Sequence, residues 1–266
     1  MRKVAVNPEN PTTVDGVRAI DMRYRGVWSS AEKIPVFYQS SIRLNSPDMG
    51  VLLPERFMPV LEADDRCISI FKLSLLQTLK AADKLAEREV DFDWISVFIP
   101  LRLLSRTNCV KTVRDFTGMI GALPGNICFE VPAEAIYESG SICFDSLKQL
   151  RKAGYHTMLT GVDGENVPIF KLAEIESEYV MLNENITKRL GANDRTDECV
   201  RSLLSVISDL GSEVIATGIS TAETADCLYE LGCPYFTADE NSYDFSGKYI
   251  SDRFIRRKNS VSDDSK

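Results

Sequence analysis

The sequence predicts an α/β protein built as a closed barrel, because two kinds of segment alternate along it. Short apolar stretches are predicted as strands, and 94–99 has the continuous hydrophobicity of a parallel strand that is buried on both faces. Amphipathic stretches with helical spacing separate them, as in repeated strand–helix units around a parallel sheet. The number of units favours a TIM-like (β/α)8 barrel over a doubly wound sheet.

The chain contains eight predicted barrel strands. The first two, 17–24 and 34–44, are expected to be joined by a hairpin loop over 26–33. The other predicted strands are 94–99, 126–131, 155–159, 179–182, 213–219 and 235–238.

The predicted helices lie between these strands. Apolar residues recur at helical spacing from Ile68 to Glu89, and Pro100 suits the first turn of the next helix. Helices over 144–154 and 196–211 each end at a glycine, which can cap a helix in the left-handed conformation. Ser220 and Glu223 have the spacing of a capping box that opens the last predicted helix.

The composition bounds the class of protein. A chain of 266 residues with net charge -8 and an isoelectric point near 4.9 does not favour a broad nucleic-acid surface, which needs clustered basic residues. No apolar run is long enough to span a membrane, and the N-terminus lacks the apolar core of a secretory signal. We therefore expect a cytoplasmic protein with a loose arm (1–17), one barrel domain (18–250) and a polar tail (251–266).

Cysteine and histidine usage excludes several chemistries. The seven cysteines are odd in number and form no C-x-x-C pair, so we expect free, mostly buried thiols. His156 is the only histidine, which excludes a histidine-based zinc site and a Ser-His-Asp triad. We interpret it as a packing or surface residue.

The carboxyl ends of the predicted strands are almost free of carboxylates, although barrel enzymes carry their chemistry there. Glu130 is the only ionisable residue among them, and a buried glutamate needs a partner. It is either a ligand position or, the favoured interpretation, a structural residue held by backbone donors or an arginine. Arg43 and Arg25 lie near the ends of the first two strands, where each could clamp a phosphate or form an ion pair.

Three stretches carry a resemblance to a known family. The run PDMGVLLPERFMPVLEADD (47–65) is similar to P-x-x-G-x-x-x-P-x-x-F-I-P-x-x-E, YVMLNENIT (179–187) resembles the stretch usually read as K-I-D, and ATGISTAET (216–224) resembles A-E-G-V-E-T. Their order and spacing over 18–250 resemble the EAL domain family of bacterial cyclic di-GMP phosphodiesterases. The resemblance implies a TIM-like barrel with an irregular first strand, in which strand-tip carboxylates and an asparagine hold two divalent cations for hydrolysis.

Carried over by position, the resemblance implies that most of these ligands are replaced. The signature glutamate falls on Gln39, the metal-binding asparagine on Phe98, and one glutamate is kept as Glu130. Arg43 matches the arginine of the family's L-L-R-W stretch. The other substituted positions are Ala133, Thr160, Gly161, Met181, Asn183, Thr217, Ser220, Thr237 and Ala238.

One carboxylate cannot offset the charge of two dications, so the resemblance implies no catalytic residue, metal site or cofactor. We expect a catalytically inactive, regulatory EAL-like domain that binds a protein partner in cyclic di-GMP signalling and does not bind nucleic acid or membrane. The alternative is a cyclic di-GMP receptor that binds through Arg43, Glu130 and Gln39 without hydrolysis. An active phosphodiesterase, or an enzyme of another class, is less favoured. EAL domains often dimerise, so a homodimer is also considered.

Overall fold

The computed structural model describes residues 13–14, 17–18, 20–46, 49–137, 139–163, 169–239 and 250–251. The strands are β1 (Thr13–Val14), β2 (Val17–Arg18), β3 (Ile20–Ser29), β4 (Pro35–Ser46), β5 (Gly50–Leu52), β6 (Ile95–Phe98), β7 (Ile127–Pro132), β8 (His156–Val162), β9 (Tyr179–Leu182), β10 (Glu213–Ile219), β11 (Tyr235–Ala238) and β12 (Ile250–Ser251). The helices are α1 (Pro54–Leu61), α2 (Arg66–Ala86), α3 (Leu101–Leu104), α4 (Cys109–Ile120), α5 (Ala133–Tyr137), α6 (Ser141–Lys152), α7 (Ile169–Ile175), α8 (Glu184–Thr187), α9 (Asp194–Asp209) and α10 (Ala222–Glu230).

Eight of these strands close into a ring. Parallel pairing runs from β4 through β6, β7, β8, β9 and β10 to β11. Strand β3 completes the ring by pairing antiparallel with β4 on one side and β11 on the other. The predicted barrel is therefore confirmed, and β3 is the irregular first strand. The carboxyl ends of the seven parallel strands open together at one end, which we call the mouth.

Strands β3 and β4 are longer than the others and extend past the mouth as an antiparallel hairpin. Strand β5 pairs with the carboxyl end of β4, and β12 pairs with β3 at Arg23 and Tyr24. The predicted loose arm contains one described antiparallel pair, β1 with β2. Residues 1–12 of the arm and 252–266 of the tail lie outside the described part of the chain.

The core has an inner and an outer layer. Side chains inside the barrel stack from its amino-terminal end, where the rings of Phe37 and Trp94 lie 4.1 Å apart, up to Met181 at the mouth. Outside, the helices pack apolar faces on the strands, as Phe71 and Leu75 of α2 do. These buried side chains fill the interior of the barrel beneath the mouth.

Two local predictions were wrong. The predicted hairpin loop begins too early, because β3 continues through Gly26 to Ser29, and Lys33 makes the turn with φ of +59°. Arg25 is therefore a mid-strand residue. The cap of α10 is Thr221 and not Ser220: the Thr221 hydroxyl accepts a hydrogen bond from the Thr224 backbone N–H. Both errors are shifts of a boundary by a few residues, and the elements themselves are confirmed.

The thiols and the histidine lie largely as expected. All seven cysteines are free, five of them are buried, Cys227 is half-buried and Cys199 is exposed. His156 packs near Trp94 and Tyr179 at the start of β8. Among the described residues, no helix has the length and hydropathy needed to cross a membrane.

Candidate functional site

The mouth holds an open cavity of about 440 Å³. Strand ends and the first residues after them form its wall, as expected for the ligand-binding end of this barrel class. Its lining residues are Arg25, Gln39, Thr160, Gly161, Met181, Leu182, Asn183, Glu184, Thr217, Gly218, Ala238 and Asp239.

A chain of polar side chains crosses this end of the barrel. The Arg25 Nε donates a hydrogen bond to Gln39 Oε1 at 2.7 Å, and Gln39 Nε2 donates to Glu130 Oε2 at 2.8 Å. The Ser96 hydroxyl also donates to Glu130 Oε2, at 3.3 Å. Four strands (β3, β4, β6 and β7) thus contribute one member each. The amide of Gln39 is oriented because a donor meets its oxygen and an acceptor meets its nitrogen.

Glu130 lies in a strongly perturbed environment. The residue is 8% exposed, and burial raises the pKa of its carboxyl to about 7. The hydrogen bonds from Gln39 and Ser96 and the positive charge of Arg25 act in the opposite direction. Burial outweighs them, because an ionised carboxylate loses its hydration inside the protein. Glu130 therefore titrates near neutral pH.

Three arginines share the mouth-facing side of the β3–β4 hairpin. In the ladder, Asp21 lies opposite Arg43, Arg23 opposite Ser41, and Arg25 opposite Gln39. The alternate residues of both strands, including Met22 and Tyr24, pack in an apolar cluster on the other face. Because side chains alternate along a strand, Arg23, Arg25 and Arg43 project to one side.

Two residues of this face form an ion pair with one another. Arg23 Nε donates to the Asp21 carboxylate at 3.0 Å. The face of the hairpin thus carries three arginines and one aspartate, in a chain whose net charge is -8.

The structure brings two of the three predicted site residues into contact. Gln39 and Glu130 are hydrogen-bonded to one another. Arg43 lies four residues beyond Gln39 on the same face of β4, about 13 Å further along the strand at 3.3 Å per residue. It lies above the cavity lining, on the hairpin that overhangs the mouth.

Sequence reasoning missed two carboxylates at the rim. Glu184 is the second residue after β9, Asp239 is the first residue after β11, and both line the cavity. Glu184 is paired with Lys188, its Oε1 lying 2.8 Å from Lys188 Nζ. The signal was present in the sequence: both are the first acidic residues after the predicted strands 179–182 and 235–238.

The other polar residues of the wall are used within the fold. Asn183 caps α8 by accepting a hydrogen bond from the Asn185 N–H, and the Thr217 hydroxyl donates to the Leu182 carbonyl at 2.7 Å. In the part of the chain that the structure describes, no group of three or more His, Cys, Asp or Glu side chains is arranged to hold a metal ion.

A closed α/β barrel with one antiparallel strand and a polar mouth defines a class of barrel proteins that bind their ligands at the strand ends. Comparison with known families places the chain within that class: the EAL domain profile matches residues 17–237. The chain belongs to the EAL domain family.

Curated relatives are distant and longer. Cyclic di-GMP phosphodiesterase RocR of Pseudomonas aeruginosa is 22% identical over 191 residues, which cover 72% of this chain and 48% of RocR. An uncharacterized protein of Azorhizobium caulinodans is 22% identical over 219 residues, which cover 81% of this chain and 30% of that protein. The chain thus spans less than half the length of either relative.

Solved structures agree on the fold. The EAL enzyme Bd1971, bound to cAMP and cyclic di-GMP, matches 90% of this chain and 64% of its own, with a TM-score of 0.73 and 21% identity. The FimX EAL domain of Xanthomonas citri, in complex with cyclic di-GMP, covers 83% of this chain and 85% of its own, with a TM-score of 0.67 and 16% identity. At these identities, the likenesses show that the chain has the fold of these EAL proteins.

Proposed function

We propose that this chain is a regulatory EAL domain that binds cyclic di-GMP without hydrolysing it. One observation carries the proposal: the Arg25 guanidinium lies in the mouth, hydrogen-bonded to the residue at the signature glutamate position, Gln39. A fixed positive charge in this place repels metal cations and attracts phosphate groups. The same side chain therefore argues against hydrolysis and in favour of binding.

The donor set does not fit the two divalent cations that the family uses. Hard cations of this kind prefer carboxylate oxygens and water. Gln39 offers a neutral amide whose oxygen already accepts from Arg25, and Oε2 of Glu130 accepts from two side chains. Four positive charges beside Arg25 and Glu130, which is the one carboxyl of the hydrogen-bonded chain, would carry a large desolvation cost. Of the two rim carboxylates, Glu184 is already paired with Lys188. We derive no metal-dependent step for this chain.

The hairpin supplies the complementary argument for binding. Cyclic di-GMP carries two phosphodiester charges, and arginine binds phosphate oxygens through paired N–H donors. Arg23, Arg25 and Arg43 project from one face of the hairpin toward the mouth. The cavity beneath them is open to solvent, so a nucleotide can reach the arginines without a change in the barrel.

Binding is tested by titration calorimetry of cyclic di-GMP, with and without Mg²⁺. We expect Mg²⁺-independent binding that weakens about 10-fold or more in Arg25→Ala and in Arg43→Ala, as for loss of a charge-assisted contact. Arg114→Ala, an exposed arginine on α4, is the matched control and should bind normally. Equal affinities in all four proteins would contradict the proposed contacts.

Hydrolysis is tested separately with Mn²⁺ and Mg²⁺. No linear dinucleotide should accumulate above the background of Glu130→Ala. Metal-dependent cleavage by the unmodified chain that disappears in Glu130→Ala would overturn the non-hydrolytic part of the proposal.

A second candidate is a protein-interaction module that acts without nucleotide. It is favoured by exposed apolar side chains on β5 and α1, where Val51 is 56% exposed and Val60 is 62% exposed. Absence of any nucleotide heat in the unmodified chain would support this candidate over the receptor.

A further inference from the structure

Strand β5 and helix α1 present an apolar surface at the edge of the molecule. Met49 is 69% exposed, Val51 56%, Leu53 45% and Val60 62%. A scattered exposed aliphatic residue is ordinary, but a group on adjoining elements marks an interaction surface. We call this surface the β5–α1 face, and it consists of Met49, Val51, Leu53, Arg56, Pro59 and Val60.

The backbone makes this face continuous. Val51 and Leu53 are alternate residues and therefore share one side of the extended segment. Met49 precedes them at the turn, where Gly50 has a φ of +71°. Leu53 is also the N-cap of α1, and Arg56 and Val60 follow it at helical spacing on the exposed side of that helix. Leu53 thus joins the exposed apolar residues of the extended segment to those of α1.

The β5–α1 face is fixed to the rest of the barrel by backbone pairing, a buried side chain and hydrogen bonds. Strand β5 pairs with β4 through three residue pairs, and Phe57 of α1 is 6% exposed against the core. The carboxylate of Glu62, directly after α1, accepts hydrogen bonds from the backbone N–H groups of Leu101 and Arg102 at 3.0 and 3.1 Å. A pre-organised surface loses little freedom when a partner binds.

Leu53 breaks a local rule of helix stability. N-caps are usually Ser, Thr, Asp or Asn, whose side chains satisfy a free N–H group of the first turn. Leu53 makes no such hydrogen bond and exposes its apolar side chain instead. Departures from local preference of this kind are expected at functional positions.

The positive charge of Arg56 indicates which kind of partner the β5–α1 face can bind. Arg56 is exposed and is the only charged residue of the set, so it lies among aliphatic side chains. A complementary partner supplies aliphatic side chains and one carboxylate. A second copy of this chain is disfavoured, because a symmetric contact through this face would bring two Arg56 side chains into the same small interface.

We propose that the β5–α1 face docks a short segment of a partner protein whose side chains are aliphatic with one acidic residue that meets Arg56. Strand β5 is one of the two terminal strands in the described sheet order, and it pairs there only with β4. An extended segment can therefore add to its other edge. This inference does not depend on whether the mouth binds cyclic di-GMP, and it is tested without nucleotide.

The probe is a random 12-residue peptide library displayed on phage and selected on the full chain. We expect the enriched peptides to share aliphatic residues and an Asp or Glu. A synthetic peptide of that sequence should bind about 10-fold or more weakly to Val60→Lys and to Arg56→Glu. Leu123→Lys, at a side chain that is 70% exposed after α4, is the matched control and should bind normally.

Two further measurements separate docking from a structural effect. A peptide with its acidic residue changed to lysine should recover binding on Arg56→Glu. Leu53→Ser should raise the melting temperature by about 2–4 °C, because it restores a cap, and should also weaken peptide binding.

Three results would overturn the proposal. They are a library that enriches no peptide, peptides that lack an acidic preference or bind Arg56→Glu unchanged, and a dimer in light scattering that dissociates in Val60→Lys. The last result would assign the face to a second copy of the chain.

Discussion

Glu130 keeps its carboxyl inside the barrel because neighbouring strands share its charge. Gln39 and Ser96 donate to one of its oxygens, and Arg25 lies one residue further along the hydrogen-bonded chain. A buried carboxyl without such partners is costly. The arrangement explains how this glutamate can persist at a position where the neighbouring strand ends are neutral.

Replacing Gln39 by leucine should destabilise the protein by roughly 1–3 kcal/mol at pH 8, because Glu130 and Arg25 both lose a buried hydrogen-bond partner. The measurement is urea denaturation followed by circular dichroism. Ser41→Ala, at the next position on the same face of β4, is the control and should change stability by less. Equal stability of Gln39→Leu and the unmodified protein would show that the chain of hydrogen bonds is not stabilising.

His156 gives the protein a pH-dependent contribution to stability. Its Nδ1 lies 2.9 Å from Glu178 Oε2, and its Nε2 lies 3.0 Å from the Gly125 carbonyl oxygen. Both partners accept hydrogen bonds, so the protonated ring satisfies both. The hydrogen bond with Glu178 raises the pKa of His156 above its ordinary value, although burial acts against it.

The direction of the effect follows from linkage. A histidine whose pKa is raised on folding contributes stability that is fully present below the unfolded value, near pH 6.5, and is lost as pH rises through the folded value. We expect the unmodified protein to lose about 1 kcal/mol of unfolding free energy as the pH rises through this range, and His156→Gln not to show that loss. The measurement is urea denaturation at several pH values. Glu178→Gln should flatten the same profile. An unchanged pH profile in both variants would refute the assignment.

At the scale of elements, helix ends show which polar residues stabilise the fold. The Asn193 side chain caps α9 by accepting from the Thr196 backbone N–H at 3.0 Å. Asn108 has the same residue type at the same position of α4 but makes no cap hydrogen bond. The two helices therefore form a matched pair within one molecule.

Asn193→Ala should reduce the free energy of unfolding by about 1 kcal/mol, the usual worth of an N-cap hydrogen bond. Asn108→Ala should cost clearly less. Thermal and urea unfolding of both variants provide the comparison, and equal losses would contradict the role given to the Asn193 side chain.

Glu62 links two elements that are distant in sequence. Removing its carboxylate in Glu62→Ala leaves the N–H groups of Leu101 and Arg102 at the start of α3 without this acceptor, and should cost about 1–2 kcal/mol. Glu62→Gln keeps one acceptor oxygen and should recover part of the loss. Hydrogen exchange at Leu101 should rise in Glu62→Ala and remain slow elsewhere in the barrel.

The elements themselves were predictable because burial on two faces gives strands such as β9 an unbroken apolar sequence. The boundaries of the elements were less predictable. Gly26 suggested a loop, yet it lies inside β3, where pairing with Tyr38 holds it in the ladder. The short strand β5 was not predicted, since three residues carry too little pattern and only the pairing with β4 defines it.

At the scale of the whole molecule, the barrel depends on pairing between its first and last strands. Truncation after Pro234 removes β11 and leaves β3 and β10 with open edges. We expect that variant to aggregate and to bind the dye ANS. Truncation after Ser251 retains all eight barrel strands and should fold, as judged by a cooperative melt. A soluble, cooperatively folded chain ending at Pro234 would contradict this dependence.

Barrel closure also explains which parts of the site could be predicted. The positions of Gln39 and Glu130 follow from strand order and the family pattern. The contact of Arg25 with Gln39 depends on the register of an antiparallel strand in a parallel barrel, which hydrophobic periodicity does not determine. Arg25 was therefore an ambiguous arginine in the sequence and becomes the central residue of the mouth in the structure.

The antiparallel position of β3 has a consequence during synthesis. Strand β3 is synthesised just before β4 and can pair with it at once. Its other edge pairs with residues 235–237, which follow about 200 residues later. At about 5–20 residues per second, that edge waits some 10–40 s for its partner. During that interval the unpaired edge of β3 is open to pairing with strands of other chains.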